Sequence, residues 1–198
     1  MIMDKQRSLT AADIMPMADY AKIRKEKRRE ISERKRFRRV EVGPFATFYF
    51  ENFDTMWMQV HEMLYIEKGG EEQIPGELAA YNPLIPNGHE LIATFMIEID
   101  DPLRRARVLA GLGGIEETAF LSFANERIAA VAEMDQDRTS EEGKASSVQF
   151  VHFPFTPEQI AAFSKEGTQV ILGFSHPAYS HMAVLPEQVR ATLAADFA

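Results

Sequence analysis

The feature that most limits how this chain can fold is a basic segment near its amino terminus that nothing interrupts. Residues 17–39 contain neither glycine nor proline, and residues 22–39 hold eleven of the chain's 22 lysines and arginines. Three glutamates in the segment stand three or four residues before an arginine, a spacing that forms ion pairs on a helix. Because its apolar stripe is thin, the sequence predicts a long basic helix that docks loosely or docks on something acidic.

The charge of the chain is divided between two parts. Residues 1–39 carry 13 Lys and Arg against six Asp and Glu, whereas residues 40–198 carry nine against 24. The first part therefore has a net charge of +7 and the second a net charge of −15, which together give the −8 of the whole chain. We expect this division to mark two units, a basic helical segment over residues 1–39 and a single α+β domain over residues 40–198.

The predicted basic helix has several possible partners. We favour acidic surface of its own body or of a second copy, because opposite charges steer docking, and a different acidic protein comes next. An acidic body would repel nucleic acid, and the thin apolar stripe argues against a membrane surface. We expect four cations to contact a second copy in a homo-oligomer or an acidic partner: Arg24, Arg28, Lys35 and Arg38.

Composition narrows the class of protein. With 198 residues and 45% hydrophobic content, the chain can bury a sizeable core. It has no cysteine, which excludes disulfides, thiolate metal sites, cysteine-ligated iron–sulfur clusters and thiol nucleophiles. No apolar run reaches the length of a membrane span, and the first residues lack the apolar core of a signal peptide. We therefore expect a soluble protein of the cytoplasm.

The residues after the basic segment have patterns that predict both strands and helices. Asp101 and Thr156, each followed by proline, predict helix starts. Alternating or apolar runs predict strands in five places, one of them a hairpin: 40–50, 89–99, 118–134, 147–155 and 168–176. The pattern favours an α+β fold, with a mostly antiparallel sheet of about six strands, helices packed on one side, and the long basic amino-terminal helix added to it.

Polar side chains gather around one predicted strand–helix junction and the loop after it. Gln59 and Glu62 share a helix face, and Glu51 ends the strand before it. Carboxylates and amides in this arrangement predict a ligand or metal site. The alternative is that they hold loop backbone in place, as polar side chains near a core often do. The candidate residues are Glu51, Gln59, Glu62, Glu77, Tyr81 and Asn82.

Three histidines late in the chain offer a second possible site. His152 lies in a predicted strand, and His176 and His181 stand five residues apart. Three imidazoles that converge with a carboxylate would suit a divalent metal such as zinc or iron. Because their spacing matches no ligand motif, ordinary packing or surface exposure is the alternative, and we expect no cofactor unless the three meet. Dinucleotide, phosphate-loop and nucleophile motifs do not occur.

Two stretches of the chain resemble an uncharacterised bacterial family, domain of unknown function 3501. The shared pattern occupies residues 50–63 and 77–91, and the upstream "RRVEVGP" and the late "HPAY" are similar as well. The pattern consists of Phe50, Glu51, Asn52, Thr55, Gln59, Glu62, Met63, Glu77, Tyr81, Asn82, Ile85, Pro86, Glu90 and Leu91. The resemblance implies no activity, but it implies a role beside redox or oxygen-stress systems.

These observations lead to two functional hypotheses. The first is a non-enzymatic cytoplasmic accessory or binding protein, self-associating, in which any redox role is that of an accessory because the chain has no cysteine. The second is a metal-binding protein or metal-dependent enzyme that uses the late histidines or the carboxylate cluster. The sequence alone does not establish whether the protein is an enzyme.

Overall fold

The computed structural model describes residues 6–133 and 143–197. The helices in these residues are α1 (Met17–Lys35), α2 (Phe53–Glu67), α3 (Ile74–Tyr81), α4 (Pro102–Ala110), α5 (Pro157–Ser164) and α6 (Glu187–Ala194). The strands are β1 (Arg39–Val42), β2 (Ala46–Phe50), β3 (Glu90–Ile97), β4 (Ala119–Phe123), β5 (Glu126–Ala129), β6 (Val131–Ala132), β7 (Val148–Pro154), β8 (Ile171–Phe174) and β9 (Met182–Val184).

The strands of the described residues form two antiparallel sheets. Sheet A has the order β1-β2-β3-β7-β6, and sheet B has the order β5-β4-β8-β9. The predicted α+β class is therefore confirmed, but the prediction of one sheet of about six strands was wrong. Strands β5, β6 and β9 have only two to four residues, too few for a recognisable alternation. Which strands share a sheet depends on contacts between distant parts of the chain.

The main core lies between the two sheets. Phe48 and Phe95 of sheet A face Phe174 of sheet B, with ring centroids 5.0 and 5.2 Å apart. All three rings are almost completely buried, and aromatic pairs at this separation stabilise a core beyond the area they bury. Sheet B thus covers one face of sheet A, and helices are left to cover the other.

The outer face of sheet A is covered by α2 and its neighbours. Ile92 of β3 packs with Met56, Val60 and Leu64, which follow one face of α2. Asn52 begins this helix, because its side chain accepts a hydrogen bond from the Thr55 backbone N–H at 3.0 Å. Helix α1 then packs along α2, so the basic segment lies on the helical layer. None of the helices in the described part combines the length and the apolar character that crossing a membrane requires.

The residues before α1 are fastened to the body by three polar side chains. Asn82 accepts from the Leu9 N–H at 2.7 Å and donates to the Leu9 carbonyl at 2.9 Å. Trp57 donates its indole N–H to the Asp13 carbonyl at 3.0 Å. Buried His61 accepts at Nε2 from the Met15 N–H, and burial lowers the pKa of its imidazole. The neutral ring that this hydrogen bond needs is therefore favoured.

The turn between β1 and β2 is held by a tyrosine from the loop between β8 and β9 of sheet B. The Tyr179 hydroxyl accepts from the backbone N–H groups of Phe45 and Ala46 and donates to the Val42 carbonyl, all at 2.9 Å. Gly43 in the turn has φ +71°, and a Cβ there would come within 2.6 Å of the His181 ring. Tyr179 therefore links the loop after β8 to sheet A.

The junction between α1 and β1 is held by a buried arginine. Arg38 is 4% exposed, and its guanidinium donates to the Phe50 and Glu51 carbonyls at 2.9 and 3.0 Å. The same guanidinium forms an ion pair with Asp196 near the other end of the chain. Arg38 thus fixes the edge of sheet A to the carboxyl-terminal residues.

Candidate interaction surface

One carboxylate, Glu62 of α2, is the main polar anchor of α1. Arg24 donates to its two oxygens at 2.7 and 2.8 Å, and the hydroxyl of fully buried Tyr20 donates at 2.6 Å. The hydrogen bond from Arg24 holds the pKa of Glu62 below its usual value, whereas burial and then Glu62 raise the pKa of Tyr20. The carboxylate is therefore kept charged and the phenol neutral, as this arrangement requires.

The other end of α1 is attached in the same manner. Arg34 forms an ion pair with Asp54 in the first turn of α2, and Ile31 is buried between the two helices' ends. Lys22 and Lys27 pair with acidic residues of α1 itself. One side of the basic helix thus pairs with acidic residues of its own chain.

Beside the docked face of α1 lie cations that form no ion pair. Within residues 6–133 and 143–197, the side chains of Lys25, Arg28, Lys35 and Arg36 make no hydrogen bond or ion pair. Like charges that are close repel one another, and solvent only partly screens the repulsion. Of these cations, Arg28 acts on the fold through its charge, which lowers the pKa of Glu62.

The unpaired cations line three neighbouring depressions with shared lining residues, which we together call the basic groove. It consists of three adjoining parts of about 380, 360 and 440 Å³. Arg28 lines the first two parts, and Arg36 and Arg39 line the last two. Six lining residues are basic: Arg24, Lys25, Arg28, Lys35, Arg36 and Arg39. The only acidic side chain that lines it in the described residues is Glu41.

Two tyrosines also line the basic groove, and arginines cover them. The guanidinium of Arg24 lies 4.6 Å from the ring centroid of Tyr65, and that of Arg39 lies 5.6 Å from that of Tyr49. Arginine prefers this position over an aromatic face because the ring quadrupole attracts the cation. The aromatic surface in the groove is therefore already engaged by guanidinium groups.

The far end of the basic groove has an apolar wall. There the groove passes between β1 and β9, where Ala183, Val184 and Pro186 form this wall. Val184 is 55% exposed and Met182 on the same strand is 64% exposed, so β9 presents large apolar side chains to solvent. The other wall keeps charged side chains: Arg36, Arg39 and Glu41. The groove therefore gains apolar surface beside its cations at this end, which we call the apolar end.

Of the residues predicted from the sequence as one ligand site, only Gln59 and Tyr81 are hydrogen-bonded to each other in the described residues. Glu51 is buried and accepts from the Thr94 hydroxyl at 2.8 Å, while its second oxygen has no hydrogen-bond partner in the described residues. Glu62 binds Arg24, and Asn82 holds Leu9. The remaining pairs are Gln59 with Tyr81 at 3.3 Å and Glu77 with Gln73 at 2.8 Å. Each side chain ties a different part of the backbone or a neighbouring helix.

The three candidate metal ligands have separate surroundings. His152 lies between Glu90 and Glu133, with its ring nitrogens 2.9 and 3.1 Å from their oxygens. His176 contacts the Gly113 carbonyl at 3.3 Å, and the exposed ring of His181 packs against Tyr179. Over the described ranges, no three or more His, Asp or Glu side chains are grouped so that they could hold a metal ion.

The stability of the protein is expected to depend on pH through His152. Burial lowers the pKa of its imidazole, but hydrogen bonds and charge from Glu90 and Glu133 outweigh burial and raise it. A raised pKa stabilises the fold below the unfolded value of about 6.5, and this stabilisation is lost as pH rises through the folded value. The advantage of the wild type over His152→Gln in urea unfolding should therefore shrink as the pH rises above about 6.5.

His89→Gln serves as the control for this measurement, because His89 is exposed. The pH dependence assigned to His152 is the part that His152→Gln shows beyond His89→Gln in the same measurement. Equal pH dependence of the two variants would contradict the ion-pair arrangement around His152.

Sequence reasoning missed part of the basic groove. Arg24, Arg28 and Lys35 were predicted as interaction residues and do line it. Lys25 and Arg36 also line it but were not predicted. Residues 21, 25, 28, 32 and 35 fall three or four apart, which places them along one helix face, and this spacing could have revealed Lys25. Nothing in the sequence places the tyrosines or β9 beside that face.

The fold and its surface define a two-sheet α+β protein with helices on one outer face and a charged groove along α1. The chain belongs to the family described as "Protein of unknown function (DUF3501)", which matches residues 8–197. The resemblance inferred from the sequence is thereby confirmed.

One solved structure is similar over nearly the whole chain. It is described as a novel protein of unknown function from Burkholderia pseudomallei K96243 and is 35% identical in sequence, with a TM-score of 0.89. The match covers 96% of this chain and 100% of that chain. No curated protein matches the sequence.

Proposed function

We propose that this protein is a non-enzymatic binding protein that engages an acidic protein partner through the basic groove. The observation that carries the proposal is the set of four neighbouring cations without partners in the described residues: Lys25, Arg28, Lys35 and Arg36. An approaching carboxylate surface would relieve their mutual repulsion and form charge-assisted hydrogen bonds with the arginines. The cations would also speed the encounter with such a partner.

Two features support a polypeptide over a nucleic acid as the partner. The aromatic faces of Tyr65 and Tyr49 are covered by guanidinium groups, so bases could stack there only by displacing them. The remainder of the chain, residues 40–198, has a net charge of −15 and would repel a long polyanion beyond the groove. A short acidic segment of a protein avoids this repulsion.

The proposal extends to the setting in which the protein acts. We place it in the cytoplasm as an accessory protein, and the link to redox or oxygen-stress systems rests on the family resemblance alone. A chain without cysteine cannot carry electrons through a thiolate or a cysteine-ligated cluster, which fits an accessory that binds another protein.

The proposal predicts salt-sensitive binding of an acidic peptide. The probe is a labelled glutamate peptide of about ten residues, which when extended spans the length of α1. In fluorescence anisotropy, the double substitution Arg28→Glu and Lys35→Glu should weaken binding at least about tenfold, because each reversal replaces attraction by repulsion. Raising the salt concentration should weaken binding to the wild type in the same direction.

The matched control reverses two cations elsewhere, Arg107→Glu and Lys165→Glu, both exposed and outside the groove. It should leave the affinity within about twofold, since exposed charges far from the site are largely screened. Equal losses in both double variants would mean that only net charge matters. Tighter binding of a single-stranded RNA of equal charge would identify a different class of partner.

A further inference from the structure

The basic groove has two chemically different ends. Toward Tyr65 it is lined by Arg24, Lys25 and Arg28. Toward β9 an apolar wall of Ala183 and Val184 adjoins the charged side chains of Arg36, Arg39 and Glu41. A partner that carries only negative charge would leave the apolar end in contact with water. The order of these surfaces along one groove therefore constrains the partner's amino-acid sequence more than charge alone does.

The apolar end lies between two sheet edges. Strand β1 is the last strand of sheet A and β9 is the last strand of sheet B, and the depression of about 440 Å³ lies between them. Exposed edge strands are usually protected because their free backbone groups and apolar side chains attract other chains. On β9 two of three side chains, Met182 and Val184, are more than half exposed.

We propose that the groove binds a protein segment that is acidic along its length and ends in large apolar side chains, with the apolar end seated against Val184. This inference rests on the proposed function and adds the sequence character of the partner. The carboxylates would lie along Lys25, Arg28 and Arg36, and the apolar side chains would cover the wall formed by β9. Burying apolar area there adds affinity that charge does not supply, and salt does not screen it.

A second copy of this chain fits the groove less well than another protein does. The chain's own segment of this character runs from Ile66, which is 61% exposed, through exposed Glu67 to Glu71 and Glu72. It begins next to Tyr65, at one end of the groove of the same molecule. Copies joined by this segment would meet head to tail, and one groove would stay open in every assembly except a closed ring. A separate acidic protein would instead occupy the groove as a single molecule.

Four labelled peptides of equal charge test the inference by fluorescence anisotropy. Each is a glutamate peptide with two leucines at its amino end, at its carboxyl end or in its middle, or with two serines in their place. One of the two peptides with terminal leucines should bind the wild type about tenfold more tightly than the serine peptide does. Val184→Ser should abolish this gain and leave the affinity for the serine peptide within about twofold.

The control is Leu103→Ser, an exposed apolar residue of α4 outside the groove that is 74% exposed. It should keep the gain from terminal leucines, and melting temperatures of both variants should match the wild type. If leucines add nothing while the serine peptide still binds through the cations, the inference fails and the proposed function stands. Light scattering that shows an assembly dissociated by Val184→Ser would also overturn it, because a second copy would then occupy the groove.

Discussion

Replacing Arg38 with methionine is expected to lower the free energy of unfolding by about 3–5 kcal/mol, the usual cost of breaking a buried ion pair from one side. The substitution keeps much of the side chain's apolar volume but removes the ion pair between Arg38 and Asp196. The carbonyls of Phe50 and Glu51 would also lose their donors in a buried environment. Urea unfolding followed by the fluorescence of Trp57, the single tryptophan, measures the loss.

Arg39→Met is the matched control because the two arginines are neighbours in the sequence and differ in burial. Arg39 pairs with Glu41 at the surface, and their side chains are 46% and 69% exposed. Exposed pairs of this kind stabilise a fold by about 0–1 kcal/mol, so this variant should stay close to the wild type. Equal losses for Arg38→Met and Arg39→Met would show that Arg38 is not the buried link described here.

Replacing Tyr179 with phenylalanine is expected to lower the free energy of unfolding by about 2–4 kcal/mol, since an unpaired buried polar group costs about 1–3 kcal/mol. The ring would stay in place, but the Phe45 and Ala46 N–H groups would lose their acceptor and the Val42 carbonyl its donor. Chemical unfolding gives the size of the loss. Amide hydrogen exchange at residues 45 and 46 should accelerate, which locates it.

The comparison for this variant is Tyr49→Phe. The Tyr49 hydroxyl donates to Glu98 at 3.0 Å in an exposed position, where water can replace the bond. Its loss should cost less than about 1 kcal/mol. Unchanged exchange at residues 45 and 46 in Tyr179→Phe would contradict the role assigned to the tyrosine hydroxyl.

Local signals in the sequence identified several elements correctly. Asp101 and Thr156 cap α4 and α5, and a proline follows each at the first helical position, as predicted. These signals are reliable because a cap satisfies backbone donors within three residues of itself. At α2 the cap is Asn52, because Asn52 and Thr55 satisfy each other's backbone.

Features that depend on distant contacts could not be predicted. The sequence shows that Glu62 and Glu51 are polar residues near a junction, but their partners are Arg24 and Thr94, 38 and 43 residues away. The closeness of β1 to β9 likewise joins residues 39–42 to residues 182–184. The basic groove exists only because these elements meet, so charge patterning predicted its cations and not its walls.

The attachment of α1 affects how experiments on the groove should be read. Only Tyr20 and Ile31 of its nineteen residues are buried, and Glu62 joins the helix to α2 through charged hydrogen bonds. High ionic strength therefore acts twice, once by shielding a ligand from the cations and once by loosening the helix that carries them. A salt titration can exaggerate the number of ionic contacts in a complex, whereas variants compared at one fixed ionic strength keep the two effects apart.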